Sequence, residues 1–218
     1  MMVINILTLF SNYFQSCFQQ SIIQRAIKSG QVEINVLNIR DFATDKHQLT
    51  DDRPYGGGPG MVMMVEPIYR ALASLDLIER DSSHQVILCS AKGDLYQQQT
   101  AATYSRLKSL TIICGHYQGV DQRVRSYIDR EVRIGNYVLT GGEPAALVVC
   151  DSVIRLLPEV LGNTQSLENE SHSAAVFKSH PLYTKPRIFL EQPVPPVLLS
   201  GNHQLIAKWK EKHTTTQD

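Results

Sequence analysis

The feature that leaves the fewest folds open is an alternation. Over the first 160 residues, short apolar runs rich in β-branched side chains take turns with amphipathic stretches. Val3–Phe10 (VINILTLF), His84–Ala91 (HQVILCSA) and Leu110–Gly115 (LTIICG) predict buried strands. Val32, Ile34 and Val36 alternate with polar residues, which predicts another strand. Between them, 11–30 predicts a helix opened by Ser11 and stopped by Gly30. Further helices are predicted from near Glu66 and Pro67, over 95–109, and briefly over 118–129. The run VRIGNYVLTGG predicts a strand that ends at Gly141 and Gly142. PAALVVCDSVIRLLPEVLG then predicts a long helix with Pro144 in its first turn and Pro158 near its end. Strands alternating with helices in this way imply an α/β layer with a mostly parallel sheet.

The pattern changes after that. Residues 1–163 read as one domain. The polar stretch 164–180 reads as a flexible linker. Residues 181–218 carry five prolines, from Pro181 to Pro196, and a short helix around Ile206–Lys210, so they read as a small, mostly helical C-terminal domain. No internal repeat is visible.

Charge and cysteine usage narrow the class. Lys plus Arg is 21 and Asp plus Glu is 21, so bulk electrostatic binding of nucleic acid is not the organising force. Cys89, Cys114 and Cys150 sit in apolar runs, Cys17 stands apart, and none forms a C-x-x-C pair. Buried free thiols suit a reducing cytoplasm. The first residues lack a basic segment and a cleavage site, so no signal peptide is expected. No apolar run approaches the ~20 residues of a membrane span.

Ligands of open α/β sheets lie beyond the carboxyl ends of the strands. Three predicted strand ends carry glycine or small polar residues there: CSAKG (Cys89–Gly93), CGHYQG (Cys114–Gly119) and LTGGEP (Leu139–Pro144). Together they predict a small-molecule pocket. It is not a common nucleotide-phosphate site, because neither G-x-x-x-x-G-K-[ST] nor a strand-flanked G-x-G-x-x-G occurs. His116, His172, His180 and His203 lack metal-ligand spacing and read as solvated or hydrogen-bonded histidines. The stretch DDRPYGGGPGM (51–61) predicts a loop without regular structure, anchored by the apolar VMMVEP. It reads as a flap over a planar, polar substrate. Asp51 and Asp52 can accept hydrogen bonds from base-edge N–H groups, Arg53 can meet a phosphate and Tyr55 can stack. Gly58, Pro59 and Gly60 form its backbone-rich end.

These segments, together with IGNYVLTGGEPAALVVCDSVIRLLPEVLGN and YTKP…VPPVLLSGNH, resemble the bacterial tRNA (guanine-N1)-methyltransferases of the knotted SPOUT class. The likeness runs from residue 3 to about Trp209 in the same order. It implies a deep trefoil knot, an S-adenosylmethionine donor and a homodimer with each donor site at the subunit interface. The implied donor site comprises Ser90, Gly115, Tyr117, Gly119 and Ile134, with Gly135, Tyr137, Leu139, Gly141 and Gly142. The implied substrate is tRNA, at the guanine 3′-adjacent to the anticodon. Arg155 is the implied cation at guanine O6, and Glu170 stands at the position of the general base.

Several positions depart from the family pattern. The D-S-F of the family aligns with NESH, so Glu170 replaces an aspartate, with Glu168 as a nearby competitor. Y-E-G is YQG, which puts Gln118 in place of an acid. Ser179 aligns with another acid, and Ala91 replaces a proline. If those acids hold Mg²⁺ in the family, this chain is less equipped to do so. The same substitutions motivate the alternative of a donor-binding paralogue with reduced turnover. The C-terminal domain is shorter than the family norm, which predicts weaker tRNA affinity. Lys185, Arg187, Lys208, Lys210 and Lys212 can still form a basic patch there.

Overall fold

The computed structural model describes residues 1–161, 171 and 177–216. The chain divides into two units, Met1–Gly162 and Asn163–Asp218. In chain order the first contains β1 (Met2–Thr8), α1 (Gln15–Phe18), α2 (Ser21–Lys28), β2 (Val32–Asn38), β3 (Asp51–Asp52) and β4 (Val62–Met63). It continues with α3 (Val65–Ala73), β5 (His84–Leu95), α4 (Gln98–Tyr104), β6 (Ser109–Cys114), β7 (Arg130–Arg133) and α5 (Glu143–Ile154). Short 3-10 segments stand at Ser11–Phe14, Ile39–Phe42 and Gln122–Tyr127.

Five strands form a parallel sheet in the order β2-β1-β6-β5-β7. Both faces are covered, which is why its strands are apolar on consecutive residues. Leu110, Ile112 and Cys114 of β6 pack with Tyr104 of α4 and Val149 and Val153 of α5. Ile113 points the other way, to Ile68 and Leu72 of α3 and to Val124. β5 splits likewise, with Ile87 and Cys89 on one face and Val86 and Leu88 on the other. A polar ladder crosses the buried centre: Asn35 Nδ2 donates to Asn5 Oδ1 at 3.3 Å and Asn5 Nδ2 to Thr111 Oγ1 at 3.2 Å.

The structure revises several expected boundaries. The helix expected over 11–30 is three pieces, and Ser21 at φ +48° breaks the run. Ser11 makes no cap; it is the first residue of the 3-10 turn. Gly30, at φ +71°, closes the last piece as expected. The segment near 118–129 is a 3-10 turn over Gln122–Tyr127. α5 stops at Ile154, short of the expected run, because Pro158 lacks an N–H and crowds the carbonyl four residues back. The strand expected over VRIGNYVLTGG ends at Arg133. β5 extends to Leu95, which shortens the expected helix over 95–109 to Gln98–Tyr104.

Within β5 the strand leaves the ladder and returns. Val132 pairs with Cys89 and again with Asp94, so Ser90–Gly93 bulge out. Gly93 permits the return, because a Cβ there would collide with the Glu131 backbone. The loop 51–61, expected to lack regular structure, is closed at its base by an antiparallel ladder of β3 with β4.

The second unit contains a hairpin of Ile188–Phe189 with Gln192–Pro193 and helices Pro196–Leu199 and His203–His213. Thr215–Thr216 pairs with Phe177–Lys178. Asn202 Oδ1 accepts from the N–H groups of Gln204 and Leu205, at 3.1 and 3.2 Å. That cap starts the last helix at His203, ahead of the expected Ile206. Trp209 stacks on His213 with ring centroids 4.1 Å apart. Among the described residues no helix is long and apolar enough to cross a membrane.

Candidate active site

The three glycine-bearing turns converge. Gly142 N–H donates to Gly115 O at 2.8 Å, and His116 bridges antiparallel to Gly141. A Cβ on Gly142 would lie 2.8 Å from Cys114 Cα and 2.9 Å from Cys89 Cβ. A Cβ on Gly115 would lie 2.8 Å from Cys89 O. These glycines are needed because one turn rests on the backbone of the next. Tyr117 adopts φ +56°, which folds the second turn back on itself.

The turns enclose a cavity of about 360 Å³, within the size range of small-molecule sites. Every residue that the family resemblance implies for a donor site lines this cavity, from Ser90 through Gly115, Tyr117 and Gly119 to Ile134, Gly135, Tyr137, Leu139, Gly141 and Gly142. Lys92, Gln118 and Thr140, from the three predicted strand ends, also line it, as do Asp121, Glu131 and Val138, which lie outside those stretches. Val138 and Thr140 lie inside a run read as a strand, and Lys92 inside the bulge.

The charged side chains at the cavity are largely committed. Arg125 pairs with Glu131. Arg133 reaches Gly93 O and donates to Asn136 Oδ1 at 3.1 Å. Asp121 accepts from the Arg123 side chain at 2.7 Å, which holds its carboxyl below the usual range. Burial pushes the Cys89 thiol up to about 12 and the Cys114 thiol well above its ordinary value. Neither is a nucleophile at neutral pH.

Glu143, at the start of α5, is buried, as acids at a helix N-terminus can be. Thr8 Oγ1 donates to its Oε1 at 2.8 Å. Its Oε2 lies 3.7 Å from His116 Nδ1, beyond hydrogen-bond reach, so the pair attracts only when the imidazole is protonated. His116 Nδ1 is buried without a hydrogen-bond partner. The side chain is 19% exposed, and its ring packs against Phe10, with centroids 5.0 Å apart, and against Tyr117.

The expected substrate residues lie beside the cavity rather than in it. Asp51 and Asp52 form β3, and Arg53, Tyr55, Gly58, Pro59 and Gly60 are exposed along the loop. None of them lines the cavity, but Gly60 touches Gln118, which does. Arg155 is the C-cap of α5, twelve residues from Glu143 at the other end. At ~1.5 Å per residue that is about 18 Å from the cavity end of the helix. Glu168 and Glu170 lie outside the described residues. Ser179 N–H donates to Ser171 Oγ at 3.1 Å.

The cavity suits an adenosyl ligand. Leu88, Ile134, Leu139 and Ala145 give it apolar wall, and Ser90, Gln118 and Thr140 add polar residues. A side chain at Gly119 would project into open space, with no protein atom within 4 Å. The described residues do not fit a metal: among them no three His, Cys, Asp or Glu side chains gather as ligands.

Residues 2–218 match the family model described as tRNA (Guanine-1)-methyltransferase TrmD. A tRNA (guanine-N(1)-)-methyltransferase of Dictyoglomus turgidum is 49% identical over 212 residues, 97% of this chain and 84% of that protein. A protein of the same name from Enterococcus faecalis is 45% identical over 213 residues, 98% of this chain and 86% of the relative. Another, from Carboxydothermus hydrogenoformans, is 48% identical over 214 residues, 98% and 83% of the two chains. With the match spanning nearly the whole chain, the protein belongs to the tRNA (guanine-N1)-methyltransferase family.

Proposed function

We propose that this chain transfers a methyl group from S-adenosylmethionine to N1 of the guanine 3′-adjacent to the anticodon in tRNA. The observation that carries the reading is the convergence of three glycine turns on one cavity of about 360 Å³. S-adenosylmethionine, when bound, supplies a methyl carbon on a positively charged sulfur. The glycine turns hold that carbon in line with the acceptor nitrogen, and such alignment supplies much of the rate. Their apolar walls keep water away from it.

Guanine N1 carries a proton and is a poor nucleophile until it loses it. Glu170 accepts that proton; a positioned base contributes about 10²- to 10⁴-fold. Negative charge shifts to guanine O6, where the Arg155 guanidinium stabilises it. Asp51 and Asp52 accept from base-edge N–H groups, Arg53 meets phosphate, and Tyr55 stacks. Gly58, Pro59 and Gly60 let the loop close over the base. The exposed Lys185, Arg187, Lys208, Lys210 and Lys212 of the second unit meet further tRNA phosphates.

The reading includes a homodimer in which Arg155 of one protomer faces the cavity of the other. The length of α5 supports this, because about 18 Å separates Arg155 from the cavity end of its own helix. Exposed apolar side chains support it as well: Phe10, Tyr13 and Val148 are each more than 40% exposed, at 47%, 47% and 45%. It also includes a trefoil knot, supported by Gly142 seated against Cys114, Cys89 and Gly115 as the chain enters α5. A reducing cytoplasm suits the free thiols of Cys89, Cys114 and Cys150.

Labelled-methyl incorporation tests the reading. A tRNA with guanine 3′ of the anticodon should be labelled, and the same tRNA with adenine there should not. Glu170→Gln should lower turnover by about 10²-fold or more while donor affinity stays. Equal labelling of both tRNAs would refute the proposed target.

A further inference from the structure

Between the loop 51–61 and the cavity lies one residue that belongs to both. Met63 is fully buried. On one edge, β4 pairs with β3 and so closes the loop, Asp51 opposite Met63 and Asp52 opposite Val62. On its other edge, Met63 N–H donates to Gly119 O and Asp121 N–H donates to Met63 O, both at 2.9 Å. Gln118 N–H donates to Met61 O at 3.1 Å. The Met63 thioether takes a third contact, accepting from His116 N–H at 3.2 Å. Thus the donor-side turn 115–121 and the base of the loop form one small ladder with β4 in the middle. Gly60 adds a second touch: a Cβ there would lie 2.7 Å from Gln118 Nε2.

A ligand pressing on the turn therefore cannot shift it without moving β4, and β4 cannot move without the loop. We propose that Met63 is a positioning residue that couples occupancy of the donor cavity to closure of the 51–61 loop. This rests on the reading of the cavity as the S-adenosylmethionine site. Coupling of this kind is reciprocal: closure of the loop on its substrate raises donor affinity by the same factor. The main-chain ladder joins the turn to the loop base, and the thioether's hold on the His116 N–H makes that joint stiff enough to transmit the shift.

Hydrogen exchange of the full chain with and without S-adenosylmethionine tests this. In the native protein the donor should slow exchange at 115–121 and also at 51–64, the latter by about fivefold or more, the low end of ordinary coupling between sites. Met63→Leu keeps the volume and removes the sulfur acceptor. It should leave Tm within about 6 °C and protection at 115–121 in place, and reduce protection at 51–64 to less than about twofold. Gly60→Ala, at φ +84° and against Gln118, acts from the loop side. It should weaken donor affinity by about threefold to tenfold in calorimetry, the worth of roughly one hydrogen bond, although Gly60 does not line the cavity. Donor protection confined to 115–121 in the native protein overturns the coupling and leaves the proposed function standing. Undiminished transmission in Met63→Leu also overturns it. Should that variant not fold, an unchanged donor affinity in Gly60→Ala overturns it instead. Absence of donor protection and of binding heat refutes both the coupling and the donor site.

Discussion

The cavity turns and the 51–61 loop are both dense in glycine, for opposite reasons. Gly115 and Gly142 have ordinary backbone angles, and a Cβ on either would strike neighbouring backbone at 2.8 Å. Gly57 stands at φ +78° with nothing within 4 Å, and its N–H closes a turn onto Pro54 O at 3.1 Å. The first two are required by crowding and the third by backbone conformation. Closely packed turns exclude their own side chains, whereas an open loop needs angles that only glycine takes easily.

The strongest way to break the comparison is Gly142→Ala. The Cβ has no flexible neighbour to displace, so overpacking should cost about 1–3 kcal/mol or more. Tm should fall by roughly 2–12 °C, with loss of donor binding, read by scanning and titration calorimetry. Gly57→Ala should cost only the left-handed penalty of about 1–2 kcal/mol. Its Tm should fall by about 2–8 °C and its methyl transfer should drop while donor affinity holds. Gly57→Asn should recover most of the Tm, because asparagine tolerates that conformation. If Gly57→Ala abolished donor binding and Gly142→Ala left it intact, the distinction would be reversed.

A smaller effect separates the packed interior from the surface without mutation. Burial pushes Cys89 up to about 12 and holds Cys114 and Cys150 well above the ordinary thiol range, whereas Cys17 is exposed. A thiol reagent at pH 8 should label Cys17 alone in the folded protein, and all four cysteines after unfolding. Early labelling of Cys89 would show that the cavity floor opens.

The smallest effect belongs to a turn that uses no glycine. The Ser83 hydroxyl and N–H, then the His84 ring, donate to the Asp81 carboxylate and pull it down to about 2. The folded value lies below the ordinary 3.8, so the contribution is full above that pH and is lost as pH falls toward 2. Asp81→Asn should lower Tm slightly at pH 7, where the contribution is full, and the difference from the native protein should vanish as pH falls toward 2. A loss of Tm at pH 7 comparable to that of Gly57→Ala would contradict it.

The central strands were legible because burial on both faces writes a continuous apolar run, as in LTIICG. The run VRIGNYVLTGG misled for the same reason. Ile134 and Leu139 are apolar because they wall a cavity, and periodicity does not distinguish a cavity wall from a sheet. β3 was invisible because two aspartates carry no strand preference; only β4 across from them makes the ladder. The glycines announced three turns, but only tertiary packing brings Gly142 against Cys114. His116 looked ordinary, and its surroundings come from Phe10, Met63 and Glu143, all remote in the chain.

The excursion at Ser90–Gly93 begins and ends opposite the same residue, Val132. Residues gained or lost there need not alter the pairing of Ile87 with Arg130 or of Leu95 with Arg133. The fold thus holds a place where the calibre of its pocket can change across related enzymes while the phase of the sheet stays untouched.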